Sequence, residues 1–364
     1  MKKVSKLKVT VLMSGGVDSA TAAALLVREG HDVRGVFMRQ YDAPRSLKGA
    51  LKVACGWEQD RADALKVCAH LNIPFTEWNL TKEYKRKVVD YMFAEYKAGR
   101  TPNPDVMCNS FIKFGVGLER ALKEGADMVA TGHYAQIKTK SVGGKTIYEL
   151  HAGKDKNKDQ SYFLYGLTQK QLKRCIFPIS HLLKPKVREL AKKFGLPNSQ
   201  KKDSQGICFV GQVPMSEFLA TKIKPREGDV INATGEVVGR HQGAWYFTNG
   251  QRHGLGLFGG ETTYFVVDRD LKKNIVFVGS GKDKRLFNKE LSCAKLSWTA
   301  TKPTLPFTAK ARIRYRQPLE ACEVSIGKAG TLKVIFKRRQ RAVTPGQAIV
   351  FYDKSRVIGG AIIK

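Results

Sequence analysis

Short runs of β-branched and apolar residues alternate with helix-period patterns through the first half of the chain. Val9–Met13 is a buried-strand pattern that runs into the turn Ser14-Gly15-Gly16. Behind it Ala20, Ala23, Ala24 and Val27 recur at helical spacing, predicting a helix from about Asp18 to Glu29 with Gly30 as its stop. Val33–Phe37 reads as the next strand. Ala64, Leu65, Cys68 and Leu71 mark one face of a helix over about Glu58 to Leu71, and Met128–Thr131 reads as a later strand. Strands separated by helices predict a parallel α/β sheet.

Beyond about residue 212 the texture changes. Glycines multiply in TNGQRHGLGLFGG, and short alternating runs such as TYFVVD and NIVFVG replace helices. From about 283 six runs (LSCAKLSW, TAKARIRYR, ACEVSI, TLKVIF, AIVFY and VIGGAII) read as strands whose spacing suggests a small barrel or sandwich. The expected division is therefore 1–212 (α/β), 213–282 (small, mainly β) and 283–364 (β-barrel).

Charge sharpens this picture. Lys and Arg number 64 against 32 Asp and Glu, a formal net charge of +32 over 364 residues. The last unit alone holds 18 basic against 5 acidic residues. Such an excess repels itself in the compact state, and a polyanion such as nucleic acid would relieve it. A generally lysine-rich proteome is the alternative cause. The basic run KRRQR at 337–341 reads equally as an RNA contact or as a charged, solvated face. With 42% hydrophobic residues the chain is not a disordered one.

The seven cysteines are widely spaced and form no CxxC pair, which argues against a zinc ribbon. The apolar run near the N-terminus, VTVLM, is shorter than the core of a signal peptide, and no stretch approaches a membrane span. A cytoplasmic protein with reduced thiols and no membrane partner is expected.

Three constellations carry chemistry. SGGVDSA, Ser14 to Ala20, lies between a strand and a helix. Two glycines let the backbone approach a ligand closely, Ser14 and Ser19 add hydroxyls, and the helix start offers free N–H groups to an anion. It is neither a Walker loop nor GxGxxG. In TPNPDVMCNSFIKF, residues 101 to 114, two prolines precede a helix with Phe111, Phe114, Leu118 and Leu122 as its inner face and Gly125 as its stop. Cys108 is then at or near a helix start, where the dipole favours thiolate, and Asp105 is a candidate acid or base. A structural cysteine fits that position too. In DSQGICFVG, residues 203 to 211, Cys208 taken alone reads as a buried core cysteine.

Taken together the motifs are recognisable. SGGVDS resembles the pyrophosphate loop of the ATP pyrophosphatases. NPDVMCN, ATGHYA (130–135), KDQSYFLY (158–165), DSQGICF, GQRHGLG (250–256), RYRQ (314–317) and TPGQA (344–348) follow it in the order seen in bacterial tRNA-specific 2-thiouridylases. The resemblance covers nearly the whole chain. It departs at YDAPRSLKGALKVACGWEQD, where Cys55 stays unassigned, and at Asn249 and His253, where relatives carry an apolar residue and a lysine.

The resemblance implies a nucleotide-hydrolase-like domain, a central domain and a C-terminal β-barrel. It implies ATP held by Leu12, Met13, Ser14, Gly15, Gly16, Val17, Asp18 and Ser19 with Met38 and Gly132, Mg²⁺ balancing the phosphate charge. Met38 reads equally as plain core. Asn103, Pro104 and Asp105 would face the target base. Cys208 would carry a persulfide from a sulfur-relay protein or a cysteine desulfurase, and Cys108 would be its partner nucleophile. His133, Lys158, Asp159, Gln160, Arg314, Tyr315 and Gln347 would contact the tRNA, whose wobble uridine (tRNAs for Lys, Glu and Gln) is the implied target. A monomer is expected. An iron–sulfur cluster on Cys108, Cys208 and Asp105 is the less favoured sulfur route. Two other readings of the chain are an ATP pyrophosphatase that ligates or amidates a small molecule, such as an argininosuccinate synthase, and a non-catalytic RNA-binding protein.

Overall fold

The computed structural model describes residues 6–42, 57–202, 214–259 and 262–364. Three sheets organise them. The first has five parallel strands in the order β3-β2-β1-β4-β7: Phe75–Asn79, Asp32–Arg39, Lys8–Met13, Met128–Ala130 and Cys175–Ile176. All but the first residue of β1 are buried, as expected of a central strand covered on both faces. Helix α1 (Val17–Arg28) lies on this sheet through Ala20, Ala23, Ala24 and Leu26. Its alanines allow close approach, so Leu26→Ala, the one large change there, would cost about 2–5 kcal/mol.

Helix α2 (Trp57–His70) buries Ala64, Val67 and Cys68 but leaves Leu65 exposed, so Leu65 does not belong to the inner face that its spacing suggested. Phe111 is a second correction: it is 45% exposed, beneath the ammonium of Lys87 at 5.4 Å from the ring centre. The helix that begins at Pro104 widens to π-type turns over Cys108–Gly117. Wider turns shift the buried positions away from a 3.6-residue stripe, so Ile112, Phe114 and Leu118 face inward and Phe111 does not.

The central unit is a four-stranded sheet, β10-β11-β8-β9 (Phe265–Asp270, Ile275–Gly279, Gly228–Ile231 and Val237–His241), with its own core around Val230, Phe247 and Val276. The helix Met215–Ala220, by contrast, inserts Phe218 and Leu219 into the core of the first unit, where Phe218 stacks on Phe93 at 5.4 Å.

The six strands expected after 283 form a closed barrel. The order is β12-β15-β14-β13-β16-β17, with β17 pairing back to β12. They span Phe287–Trp298, Leu332–Arg341, Glu320–Ile326, Phe307–Arg312, Ala348–Asp353 and Arg356–Ile363. Closure leaves no free edge within the ring. A hairpin that the residue pattern did not reveal, β5 (Ala135–Val142) with β6 (Lys145–Ala152), leaves the first unit and joins the barrel at Arg356↔His151. Among the described residues no helix is long and apolar enough to cross a membrane.

Candidate functional site

The order β3-β2-β1-β4 dictates where a ligand fits. The chain leaves β1 toward β2 on one side and returns to β4 on the other, so the crevice beyond their carboxyl ends lies at a switch point. Ser14–Gly16 follows β1 there, and Thr131-Gly132 follows β4. The two connections touch: a Cβ on Gly132 would lie 2.6 Å from both the Asp18 carbonyl carbon and the Ser19 nitrogen. Gly15 has φ +72°, and a Cβ there would meet the backbone of Asp60 at 2.3 Å. Both positions therefore exclude a side chain.

Hydroxyls brace the loop. The Ser14 amide donates to Ser19 Oγ (3.2 Å), Ser19 Oγ donates to the Gly16 carbonyl (3.1 Å), and the Gly16 amide donates to Ser14 Oγ (3.4 Å). Gly16 provides no side-chain cap, and the first helical bond is Ala20 N–H to the Gly16 carbonyl. The amides of Val17, Asp18 and Ser19 thus precede the intrahelical ladder, in the arrangement that favours an anion.

The Asp18 carboxylate receives Lys184 Nζ at 2.7 and 2.8 Å and the Tyr134 hydroxyl at 2.9 Å. Asn198, buried, donates its amide to the Gly15 carbonyl at 2.9 Å. Three residues on, Lys201 bridges Asp60 and Asp63 of α2 at 2.7 and 2.6 Å. Burial opposes the Lys201 charge, and the two carboxylates outweigh it, so its pKa is raised. Tyr134 stands inside a motif singled out above. Lys184, Asn198 and Lys201 carry no local signal that separates them from other polar residues.

Beside this loop β2 delivers Met38, and Gln40 follows directly after the strand ends at Arg39. Met38, half-buried, packs where a Cβ on Gly117 would be 3.4 Å from its sulfur, and Gln40 Nε2 donates to Cys108 Sγ at 3.7 Å. Asn103 caps the helix, accepting from the Val106 amide at 3.3 Å, with Pro104 and the half-buried Asp105 in the first turn. Cys108 is one turn inside the helix rather than at its start, and its own N–H already bonds to the Pro104 and Asp105 carbonyls. The helix starts at Pro104, and the Gln40 amide is one polar group that faces the buried sulfur. Cys208, with its whole DSQGICFVG segment, and Cys55 lie outside the described residues. The other cysteines are buried, and burial pushes the thiol of Cys68 up to about 11 and those of Cys293 and Cys322 up to about 12.

The positions assigned to RNA are scattered in environment. His133 Nδ1 is 2.7 Å from Thr131 Oγ1, with its ring against Phe114 and Phe177. Burial, helped by the charge of Lys113, holds its pKa well below the usual histidine range, so the imidazole is neutral at pH 7. Lys158 is half-buried. Asp159 faces inward: Oδ1 accepts from the Gly153 and Ser161 amides at 3.1 Å each, with Arg312 at 3.6 Å from Oδ2. Gln160 accepts from the Tyr134 amide at 3.1 Å. Arg314 donates to Thr344 Oγ1 (2.6 Å) and to the carbonyls of Asn249 and Ala342, and burial lowers its pKa. Tyr315 packs on Phe163 at 4.5 Å. Gln347 donates to the carbonyls of Thr101 and Pro102. No group of three or more His, Cys, Asp or Glu among the described residues could hold a metal.

Comparison with known proteins covers the whole chain. Residues 7–212 match a family model described as a tRNA methyl transferase HUP domain, 216–280 its PRC-barrel domain, and 288–363 an aminomethyltransferase β-barrel domain. The chain is 45% identical over 364 residues to the tRNA-specific 2-thiouridylase MnmA of Halalkalibacterium halodurans, covering 100% of this chain and 96% of that protein. It is 46% identical over 363 residues to the protein of that name from Listeria monocytogenes serotype 4a, covering 99% and 95%. A solved 4-thiouridine synthetase–RNA complex with bound ATP aligns over 59% of this chain and 50% of that one, at 20% identity and a TM-score of 0.36.

Proposed function

The chain belongs to the tRNA-specific 2-thiouridylase family, and from that premise we propose that it replaces the C2 oxygen of a tRNA uridine with sulfur at the expense of ATP. The observation that carries this reading is the packing of the Cys108 helix on the carboxyl end of β2, through Met38 on Gly117 and Gln40 on Cys108, next to β1, whose end leads into the Ser14–Gly16 loop. One crevice then serves both the leaving-group chemistry and the sulfur chemistry.

Oxide is a poor leaving group at C2. In the first step the C2 oxygen attacks the α-phosphorus of ATP, forming the adenylated base and expelling pyrophosphate. The amides at the start of α1 would receive the departing phosphates, with Leu12, Met13 and Met38 toward the nucleotide. When bound, Mg²⁺ would neutralise phosphate charge. Asp18 alone among the loop residues bears a carboxylate, and it already faces a lysine and a tyrosine. Lys184 Nζ lies within 2.8 Å of both carboxylate oxygens, so the cation would be held chiefly by the phosphates, not by an all-protein cage.

In the second step Cys208 carries the terminal sulfur as a persulfide, received from a sulfur-relay protein or a cysteine desulfurase. The Cys108 thiolate attacks the inner sulfur and closes a disulfide, and the terminal sulfur leaves with the bonding pair. That sulfide adds to C2, and AMP departs with the original oxygen. An external dithiol then reduces the disulfide. Asp105, in the first turn of the helix that Asn103 caps, would take up the proton of the base. His133 is neutral and so accepts or donates one hydrogen bond without adding charge. The wobble uridines of tRNAs for Lys, Glu and Gln are the proposed targets, extruded from the anticodon stack, with a cytoplasmic monomer as the working unit.

The decisive experiment is mass spectrometry of nucleosides from tRNA incubated with the protein, ATP, Mg²⁺ and a persulfide donor. 2-Thiouridine should appear only with ATP, together with AMP and pyrophosphate. Pyrophosphate release driven by a small acceptor without tRNA would replace this reading with a small-molecule ligase.

A further inference from the structure

Thr101 is the meeting point of all three units. It is buried, and its backbone is held by a turn of the barrel nearly 250 residues away. The Thr101 amide donates to the Pro345 carbonyl at 2.8 Å. The Gln347 side-chain amide donates to the carbonyls of Thr101 (2.9 Å) and Pro102 (3.2 Å). Gly346 lies flat against the same peptide: its φ is +91°, and a Cβ there would sit 2.9 Å from the nitrogen, carbon and oxygen of Thr101. From the central unit Thr248 Oγ1 meets Thr101 Oγ1 at 3.1 Å, and Arg269 donates to the Gly99 carbonyl at 2.9 Å.

The holding turn is itself rigid. Gly346 N–H donates to the Ile363 carbonyl, Ile363 N–H donates back to the Gln347 carbonyl (both 2.9 Å), and Arg314 clamps Thr344. Two residues separate Thr101 from Pro104, where the Cys108 helix begins. The path of the chain into that helix is therefore set from the barrel.

We propose that the barrel turn Pro345–Gln347 positions the Cys108 site, Gly346 by close approach and Gln347 by its amide, in addition to any contact with RNA. Gly346 and Gln347 are thus positioning residues: they act on Asn103, Asp105 and Cys108 through the backbone of Thr101 and Pro102. The consequence for turnover rests on the thiolation reading; the consequence for the exposure of Cys108 does not.

The test uses full-length Gly346→Ala and Gln347→Ala proteins, with N-ethylmaleimide labelling resolved by peptide mass spectrometry, without RNA or ATP. Labelling of the buried Cys108 should rise about tenfold through local opening, while Cys68 and Cys175 label at the wild-type rate. In the thiolation assay kcat should fall about tenfold or more, with the half-saturating tRNA concentration changed less than about twofold. Wild-type labelling of Cys108 in both variants overturns the proposal. So does a Gln347→Ala protein whose only change is a higher half-saturating tRNA concentration, since Gln347 would then serve RNA alone. Should Gly346→Ala fail to fold, Gln347→Ala decides. Should the wild-type protein thiolate no tRNA, the functional reading fails and the labelling alone decides the positioning role.

Discussion

Lys184 and Asp18 form an ion pair at 2.7 Å that joins the first turn of α1, just after the Ser14–Gly16 turn, to the first turn of the helix Lys184–Lys193. The lysine is 10% exposed and the carboxylate 32% exposed, so water screens the pair only in part. Lys184 also stands over the ring of Tyr134, whose hydroxyl donates to the same carboxylate. The loop thus holds a cation within one residue of the amides proposed to receive phosphate.

Asp18→Ala should abolish tRNA-dependent pyrophosphate release and leave Lys184 without its carboxylate. Lys184→Met should slow the same step about tenfold or more by removing positive charge near the departing phosphates. Truncating either partner should cost about 1–3 kcal/mol of stability, read by thermal unfolding. Adenylation at the wild-type rate in Asp18→Ala would show that the carboxylate serves the fold alone.

The neutral, buried His133 makes stability depend on pH. Its folded pKa is depressed, so the unfolded chain binds a proton first as pH falls below about 6.5. Stability present above that value is lost on acidification, by at most about 1.4 kcal/mol per pH unit. His133→Phe should flatten this part of the profile between pH 7 and 5. His151 and His241, shifted downward chiefly by burial, retain their own contributions of the same sign. An unchanged slope in the variant would mean that folding does not shift the His133 pKa.

On β15, Lys337, Arg338, Arg339 and Arg341 are exposed on a barrel with few acidic residues. Affinity for tRNA should fall steeply with salt, and each charge removed at a phosphate contact should reduce the slope of log K against log salt by about 1. Filter binding of Lys337→Ala and Arg338→Ala across a salt series checks this. Slopes equal to wild type would assign the patch to solvent.

Cys108→Ser and Cys208→Ser should each stop sulfur transfer while pyrophosphate release continues. Serine at Cys68, Cys175, Cys293 or Cys322 should preserve sulfur transfer, at a folding cost of about 1–3 kcal/mol for each buried hydroxyl. Thiolation rate and thermal midpoint should be measured on every variant. A stable, active Cys208→Ser protein would end the persulfide route.

Local patterns were enough to read the α/β class of the first sheet and three of its five strands, β1, β2 and β4, together with the loop after β1 and all six strands of the barrel, but not β3 or β7. Those features rest on two periodicities and on glycine, which neighbouring residues in the chain express directly. The patterns misplaced Phe111, because a helix widened to π-type turns shifts its buried face and no residue type announces the widening. They also missed the β5–β6 hairpin, since Lys138, Thr139, Lys140 and Ser141 lack the apolar alternation of a half-buried strand; β6 meets β17 of the barrel at Arg356↔His151.

The sequence by itself determined the chemistry available here: a glycine turn before a helix, a cysteine behind two prolines, a basic barrel. Only the tertiary structure decided which groups meet. Lys184 reaches Asp18 across 166 residues, Asn198 reaches Gly15 across 183, and Gln347 reaches Thr101 across 246. Such contacts depend on the closed path of the whole chain, because a hydrogen bond requires two groups within about 3 Å and no local pattern records where a distant segment returns.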